Sequence, residues 1–356
     1  MNAVHQFVPR FEPGAVGASA LALRDALRGH GYEAEIFADE IDARFANAGA
    51  RRAAGYPATA KPDDIIVYHL AIGAAMADCI GEWPQRLVID FHNLTPAEFL
   101  EPWDPGLGPA ILWGRRQLRD LAPKAALGIA HSEFSRVDLL DAGAPTTTVL
   151  PVLLRTAALD DPDPAILDDL RATTTGTKWL FVSRIAPNKA QHDVVQAFAF
   201  YRRHHDPDAQ LWMVGGSASD TYLAAVRGLI AALELDDVVR LPGAAGDAAL
   251  AAYYAAADVF VCLSDHEGFA VPVLEAWSHD LAVVAFGAAA VPETAGNAAI
   301  VLDDKSPAVV AAAVDRVQRD PRLRTALVER GRRRLDEVFG AEVVRRRWID
   351  AIEHVR

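Results

Sequence analysis

Cysteine is scarce in this chain. Cys79 and Cys262 stand far apart, which excludes a disulfide framework and any thiolate zinc spacing. No apolar run approaches the ~18 residues a membrane-spanning helix needs. The opening stretch "MNAVHQFVPRFEPG" lacks the basic flank and apolar core of a secretory leader, so a cytoplasmic chain is expected. Basic charge is also short: 35 Lys and Arg face 48 Asp and Glu, a formal net charge of −13. A general nucleic-acid binder needs the opposite balance, because its affinity comes from cations that displace phosphate counterions. One local basic stretch, "WGRRQLRDLAPK", reads best as a solvated helix face.

What the chain does have is apolar material and length. Its 356 residues, 51% hydrophobic and 23% charged, exceed what one core usually holds, so two globular domains are expected. Short β-branched runs alternate with helix-length stretches: "AVHQFVP", "EAEIFA", "DIIVYHL", "RLVIDFH" and "ALGIAHS" in the first half. A second series follows in "KWLFVSR", "AQLWMVGG", "DVVRLPG", "DVFVCLS" and "LAVVAFG". Such alternation predicts parallel strands with helical crossovers, a doubly wound α/β unit, twice. Between them, residues 145–176 are rich in Pro, Asp and Thr and read as the linker. The expected domains are 1–152 and 153–339, with a C-terminal helix over 340–356 crossing back onto the first.

In parallel sheets ligands bind beyond the carboxyl ends of the strands, so residues just after strand patterns have first claim on chemistry. Gly14 and Gly17 follow the first strand and open a helix; alone, that turn is a weak anion signal. His92 follows "RLVIDF" and precedes a loop of prolines and aromatics. Arg184 and Lys189 follow "KWLFV"; a rigid guanidinium fork beside a mobile ammonium suits a departing diphosphate. Glu267 follows "DVFVCLS", and Glu275 comes eight residues later. Between them, the N–H groups of Phe269, Ala270 and Val271 can face an anion ahead of a helix that carries Pro272 in its first turn. Two carboxylates that accept from vicinal hydroxyls, with an anion site between, fit a nucleoside diphosphate sugar.

The segment "HEGFAVPVLEAWS" closely resembles the E-x7-E motif of retaining glycosyltransferases of family GT4, with the GT-B fold. The likeness extends back through "DDVVRLPGAAGDAALAAYYAAADVFVCLSDHEGF" and "SRIAPNKAQHDVVQAF", and more loosely through "DFHN" and "IAHSEFSRVDL". The resemblance implies two Rossmann-like domains facing a central cleft, the first for the acceptor and the second for the donor. It implies that Glu267 contacts the donor sugar's hydroxyls and Glu275 the ribose. Arg184 and Lys189 would stabilise the leaving diphosphate, and His92 would lie near sugar and acceptor. Gly268 belongs to the same motif, and the backbone of Leu241, Pro242, Gly243 and Ala244 would meet the nucleotide base. Three departures stand out: Gly14–Ala15 replaces a glycine pair, Ala190 a glycine after the lysine, and "AAAVPE" a glycine-containing turn.

The implied activity is transfer of a hexosyl group, with retention of anomeric configuration, from a GDP- or UDP-linked sugar to an acceptor the sequence does not name. Bacterial glycan, glycolipid or glycosylated-metabolite synthesis would use such a step. No cofactor and no metal are expected, and no Asp-x-Asp motif stands at a strand end. Membrane contact would be peripheral only, and oligomeric state is left open. The alternatives sharing the architecture are a nucleotide-sugar epimerase, a phosphorylase and a non-catalytic partner subunit; a glycan-binding module has no use for both cations and both glutamates.

Overall fold

The structure, a computed structural model, describes residues 3–153, 159–173 and 175–355. Two compact units emerge: Met1–Glu101, Pro105–Arg155 and Gly340–Arg356 form the first, and Pro102–Asp104 with Thr156–Phe339 the second. The break anticipated after residue 152 adjoins 154–158, which lie outside the described residues.

The first unit runs β1 (Val4–Phe11), α1 (Ala15–Gly29), β2 (Ile36–Ile41), β3 (Ala50–Arg52), β4 (Ile65–Leu70), α2 (Ala75–Ile80), β5 (Arg86–Phe91), α3 (Ala97–Leu100), α4 (Leu107–Leu121), β6 (Leu127–Ala130), α5 (Glu133–Asp141) and β7 (Thr147–Val149). Its sheet, β3-β2-β1-β4-β5-β6-β7, is parallel throughout. Central strands are apolar runs rather than alternations because helices cover both faces; every residue of β4 and β6 is buried.

The second unit runs α6 (Pro164–Ala172), β8 (Lys178–Val182), α7 (Gln191–His204), β9 (Gln210–Val214), α8 (Asp220–Ala232), β10 (Val239–Gly243), α9 (Asp247–Ala256), β11 (Val259–Cys262), α10 (Val271–Ser278), β12 (Ala282–Phe286), α11 (Val291–Ala295), β13 (Ile300–Leu302), α12 (Pro307–Arg319) and α13 (Pro321–Val338). Its parallel sheet has the order β10-β9-β8-β11-β12-β13. The chain ends in α14 (Ala341–Val355), which belongs to the first unit. There Trp348 is fully buried and its indole N–H donates to Pro151 O at 3.1 Å.

The stretch expected to be a linker contains regular elements, β7 and α6. Asp163 caps α6, its carboxylate accepting from the N–H groups of Ala165 and Ile166, with Pro164 in the first turn. An aspartate before a proline is a helix start as well as a turn signal, and the short length of α6 hid its period.

Candidate active site

In each unit the strand order reverses at one place, between β1 and β4 in the first and between β8 and β11 in the second. A crevice opens at the carboxyl ends of such neighbours, because their crossover helices leave toward opposite faces.

At the switch point of the second unit the loops after β8 and β11 meet. Lys189 ends a tight turn, Pro187–Lys189, and its Nζ lies 2.7 Å from Glu267 Oε2. Neither is freely solvated: their side chains are 16% and 11% exposed. Asn188 stitches the two loops together, its carbonyl accepting from the N–H groups of Asp265 and His266 and its amide donating to His266 O. Arg184 is exposed at the start of the loop after β8, and Gln191 Nε2 donates to its carbonyl at 2.9 Å.

The helix α10 that follows Glu267 is preceded at its cap position by Ala270, which sits at φ +70 and offers no side-chain cap. The first N–H groups of α10, from Val271 on, therefore lack a side-chain partner from the cap position. Thr294 holds the preceding turn by donating its hydroxyl to Phe269 O, and Ala290 N donates to Glu267 O at 3.2 Å. Within α10 the carboxylate of Glu275 accepts from Tyr254 Oη at 2.7 Å. Burial raises the pKa of Glu275 against the Tyr254 hydrogen bond and His279, which pull it down.

Three alanines in these loops adopt the left-handed conformation: Ala190 (φ +52), Ala270 (φ +70) and Ala289 (φ +51). Ala190 and Ala289 fall in the two stretches where the family motif has glycine. The backbone shape is retained without the residue that adopts it most easily.

Strand β10 ends in Pro242 and Gly243 (φ +81), and Ala244 follows it. Sequence reasoning overlooked its neighbour, the glycine pair after β9. Gly215 N donates to Gly243 O at 2.9 Å, and at φ +152 a Cβ on Gly215 would stand 1.8 Å from Ser183 O. The doublet directly after "LWMV" was the available signal.

In the first unit, Gly14 heads α1 at φ +145 with no side-chain cap. A Cβ on Gly17 would lie 2.2 Å from Glu12 O, so that glycine is required by close approach. His92, just past β5, is only 7% exposed at its side chain and belongs to a group the sequence reading missed: His69, Asp90 and His131. Asp90 Oδ2 lies 2.9 Å from His69 Nδ1 and 3.1 Å from His92 Nε2, and Oδ1 lies 3.1 Å from His131 Nε2. One buried carboxylate is thus shared by three imidazoles, all within hydrogen-bond distance.

Proton bookkeeping orders this group. Gln6 donates its amide to Ala20 O, which turns its carbonyl oxygen toward His69 Nε2 at 2.9 Å. His69 Nε2 therefore donates to Gln6, and its Nδ1 lies 2.9 Å from both His92 Nε2 and Asp90 Oδ2. His131 faces acceptors on both sides, Leu150 O at 2.9 Å and Asp90 Oδ1. Burial lowers the pKa of His131, but Asp90 outweighs it and the net shift is upward. Burial raises Asp90, and the charges of His92, His131 and His69 outweigh that, holding it well below the carboxylate range. Burial pushes His92 down to about 4, so its ring is neutral at pH 7. His69, Asp90 and His92 each offer one ligand atom within the distances a metal ion bridges.

Two parallel α/β units of this kind define the GT-B fold. The whole chain superposes on sucrose-phosphate synthase from Thermosynechococcus elongatus with a TM-score of 0.80 at 17% identity, covering 100% of this chain and 99% of that one. Anabaena HepE in complex with UDP-glucose gives 0.80 at 18% identity, covering 99% of each. Residues 164–334 match the family glycosyl transferases group 1. It is 30% identical over 271 residues to a D-inositol 3-phosphate glycosyltransferase of Kineococcus radiotolerans, covering 71% of this chain. Over 165 residues it is 34% identical to a GDP-mannose-dependent phosphatidylinositol monomannoside mannosyltransferase of Mycobacterium tuberculosis, covering 43% of this chain. The chain spans 62% and 42% of the length of these relatives.

Proposed function

We propose that the protein transfers a hexosyl group from a nucleoside diphosphate sugar to an acceptor, with retention of configuration and without a metal ion. The observation that carries this reading is the Lys189–Glu267 pair at the second unit's switch point, two charges of opposite sign presented from adjacent strand ends. Relatives named for GDP-mannose and a structural neighbour solved with UDP-glucose support a nucleotide-sugar donor, and both bases remain in play.

In this reading the donor displaces the ion pair. Lys189 turns to the diphosphate together with Arg184, and Glu267 accepts from hydroxyls of the sugar. The N–H groups of Phe269, Ala270 and Val271 face an anionic oxygen, with Gly268 keeping the backbone close. Glu275 holds the ribose, while Pro242, Gly243 and Ala244 line the base. Departure of the diphosphate leaves positive charge on the sugar ring, and one of its oxygens takes the acceptor's proton on the face it has just left. That sequence gives retention and needs no protein nucleophile. The two cations offset the charge that grows on the leaving group, where a fixed charge lowers the barrier most. Within the first unit, His92, neutral beside Asp90, is the residue this reading assigns to the acceptor.

The test is a thermal-shift screen of GDP, UDP and their sugars, since a ligand at ~100 times its Kd stabilises by about 2.7 kcal/mol. Transfer assays with the donor so found follow, with and without EDTA, and proton NMR of the product reads the anomeric configuration. Inverted product, or activity abolished by EDTA and restored by a metal ion, would refute the corresponding part.

A further inference from the structure

Tyr254 is among the largest fully buried side chains, yet its ring ends in a hydroxyl. That hydroxyl donates to Glu275 Oε2 at 2.7 Å, from the neighbouring helix α9. The ring itself is fixed. Its face lies on the His279 imidazole with centroids 5.0 Å apart and planes 19° from parallel, and Phe260 stands behind it at 6.2 Å. His279 is anchored in turn, Nδ1 at 2.9 Å from Glu275 O and Nε2 at 3.0 Å from Leu159 O. Ser278 Oγ also donates to Glu275 O, at 2.8 Å. The glutamate is thus held at both ends, by its carbonyl through Ser278 and His279 and by its carboxylate through Tyr254.

A glutamate side chain has three rotatable bonds, and freezing them at the moment of binding costs affinity. A buried hydroxyl aimed at one carboxylate oxygen removes that cost in advance. It also directs the remaining acceptor positions, chiefly on Oε1, away from α9. We infer that Tyr254 is a positioning residue that presents Glu275 to the ribose hydroxyls of the donor, and so sets the protein's preference for ribonucleotides over deoxyribonucleotides. This rests on the donor reading above and extends it to a residue that does not touch the ligand.

The experiment compares GDP and UDP with dGDP and dUDP by titration calorimetry, on the full chain and on Tyr254→Phe, which removes one oxygen and keeps the ring. The wild-type chain is expected to bind the ribonucleotide of its preferred base more tightly than the deoxy form. In Tyr254→Phe the ribonucleotide should lose about tenfold in affinity, as expected for a hydrogen bond to a charged group, while the deoxy form changes less than threefold. A second readout is pH. Glu275 is faced by Tyr254 and Asp247 from α9 and by His279 from its own helix; the hydroxyl stabilises the ionised form, so its removal should move the acid limb of ribonucleotide binding to higher pH.

Equal losses for ribo and deoxy ligands, an unmoved acid limb, or a Tyr254→Phe chain that fails to fold would each overturn the positioning role and leave the donor reading standing. A wild-type chain that binds neither GDP nor UDP would overturn both.

Discussion

Lys189 Nζ and Glu267 Oε2 stand 2.7 Å apart, so the cation and the anion proposed to grip different parts of one donor hold each other before it arrives. The pair is mostly shielded from water, and removing one partner strands the other's charge. Lys189→Ala should therefore lose about 1–3 kcal/mol of stability, and Lys189→Met with Glu267→Gln should lose clearly less. Urea unfolding of the single and double variants checks this; a double variant whose loss equals the sum of the two single losses would show that the two residues act independently.

The sheets were legible because parallel strands covered on both faces are unbroken apolar runs, as in "IIVYHL" and "VFVC". The short edge strands β3, β7 and β13 were not, since three residues carry no period. The neighbourhood of Lys189 and Glu267 was readable for a related reason: residues after strand ends converge where strand order reverses. The partners of His92 were not. His69 and Asp90 lie inside strands β4 and β5, where side chains of alternate facing give no sign of which polar groups will meet. Only the register of the pairing, His69 opposite Asp90, brings them together.

Ala190 is fully buried at φ +52. Left-handed backbone costs a residue with a Cβ roughly 1–2 kcal/mol, while deleting a buried methyl costs about 0.8 kcal/mol. Ala190→Gly should consequently change stability by less than about 1 kcal/mol in either direction. Ala190→Val, branched at Cβ, should lose about 2 kcal/mol or more. Melting of both variants tests the assignment; a Gly variant as damaged as the Val variant would mean that the methyl's packing outweighs the backbone.

The histidine group makes stability depend on pH in both directions. The His92 pKa falls from an unfolded value near 6.5 to about 4. Between those values the unfolded chain takes a proton that the folded one refuses, so stability should drop as pH falls below 6.5. The slope approaches 1.4 kcal/mol per unit for that group. The His131 pKa is raised; its contribution is complete below 6.5 and is lost as pH rises through its folded value. Asp90, depressed, contributes in full above its unfolded value near 3.9, and that contribution is lost as pH falls below it toward the folded value. Melting between pH 4.5 and 8.5 should peak near 6.5. His92→Gln should flatten the acid limb and His131→Gln the alkaline one; unchanged limbs would contradict this protonation scheme.

Glu275 and Glu267 should separate by ligand. Ribose is common to the free nucleoside diphosphate and the nucleotide sugar, so Glu275→Gln is expected to weaken both, by about tenfold for a charged hydrogen bond. The hexose is present in only one, so Glu267→Gln should weaken the nucleotide sugar and leave the free diphosphate within about threefold. Calorimetry with both ligands decides; equal losses for both ligands in both variants would remove the division.

Arg184 is exposed on the loop after β8, where a purely structural cation would contribute little to stability. If its guanidinium meets the leaving diphosphate, the contact strengthens as the bond to the sugar breaks, because charge on the departing oxygens grows toward the transition state. An interaction of that kind lowers kcat when lost and leaves the donor KM nearly unchanged. Arg184→Ala should reduce kcat by about 10²-fold, the scale seen when one preorganised donor to a developing anion is removed, with the donor KM within about threefold. Its melting temperature should match the parent. Arg184→Lys should recover part of the rate, since an ammonium supplies the charge without the planar fork. Steady-state kinetics at saturating acceptor, run beside melting on the same preparations, tests each point. Wild-type kcat in Arg184→Ala would take the residue out of the chemistry and leave the diphosphate to Lys189 and the N–H groups that open α10.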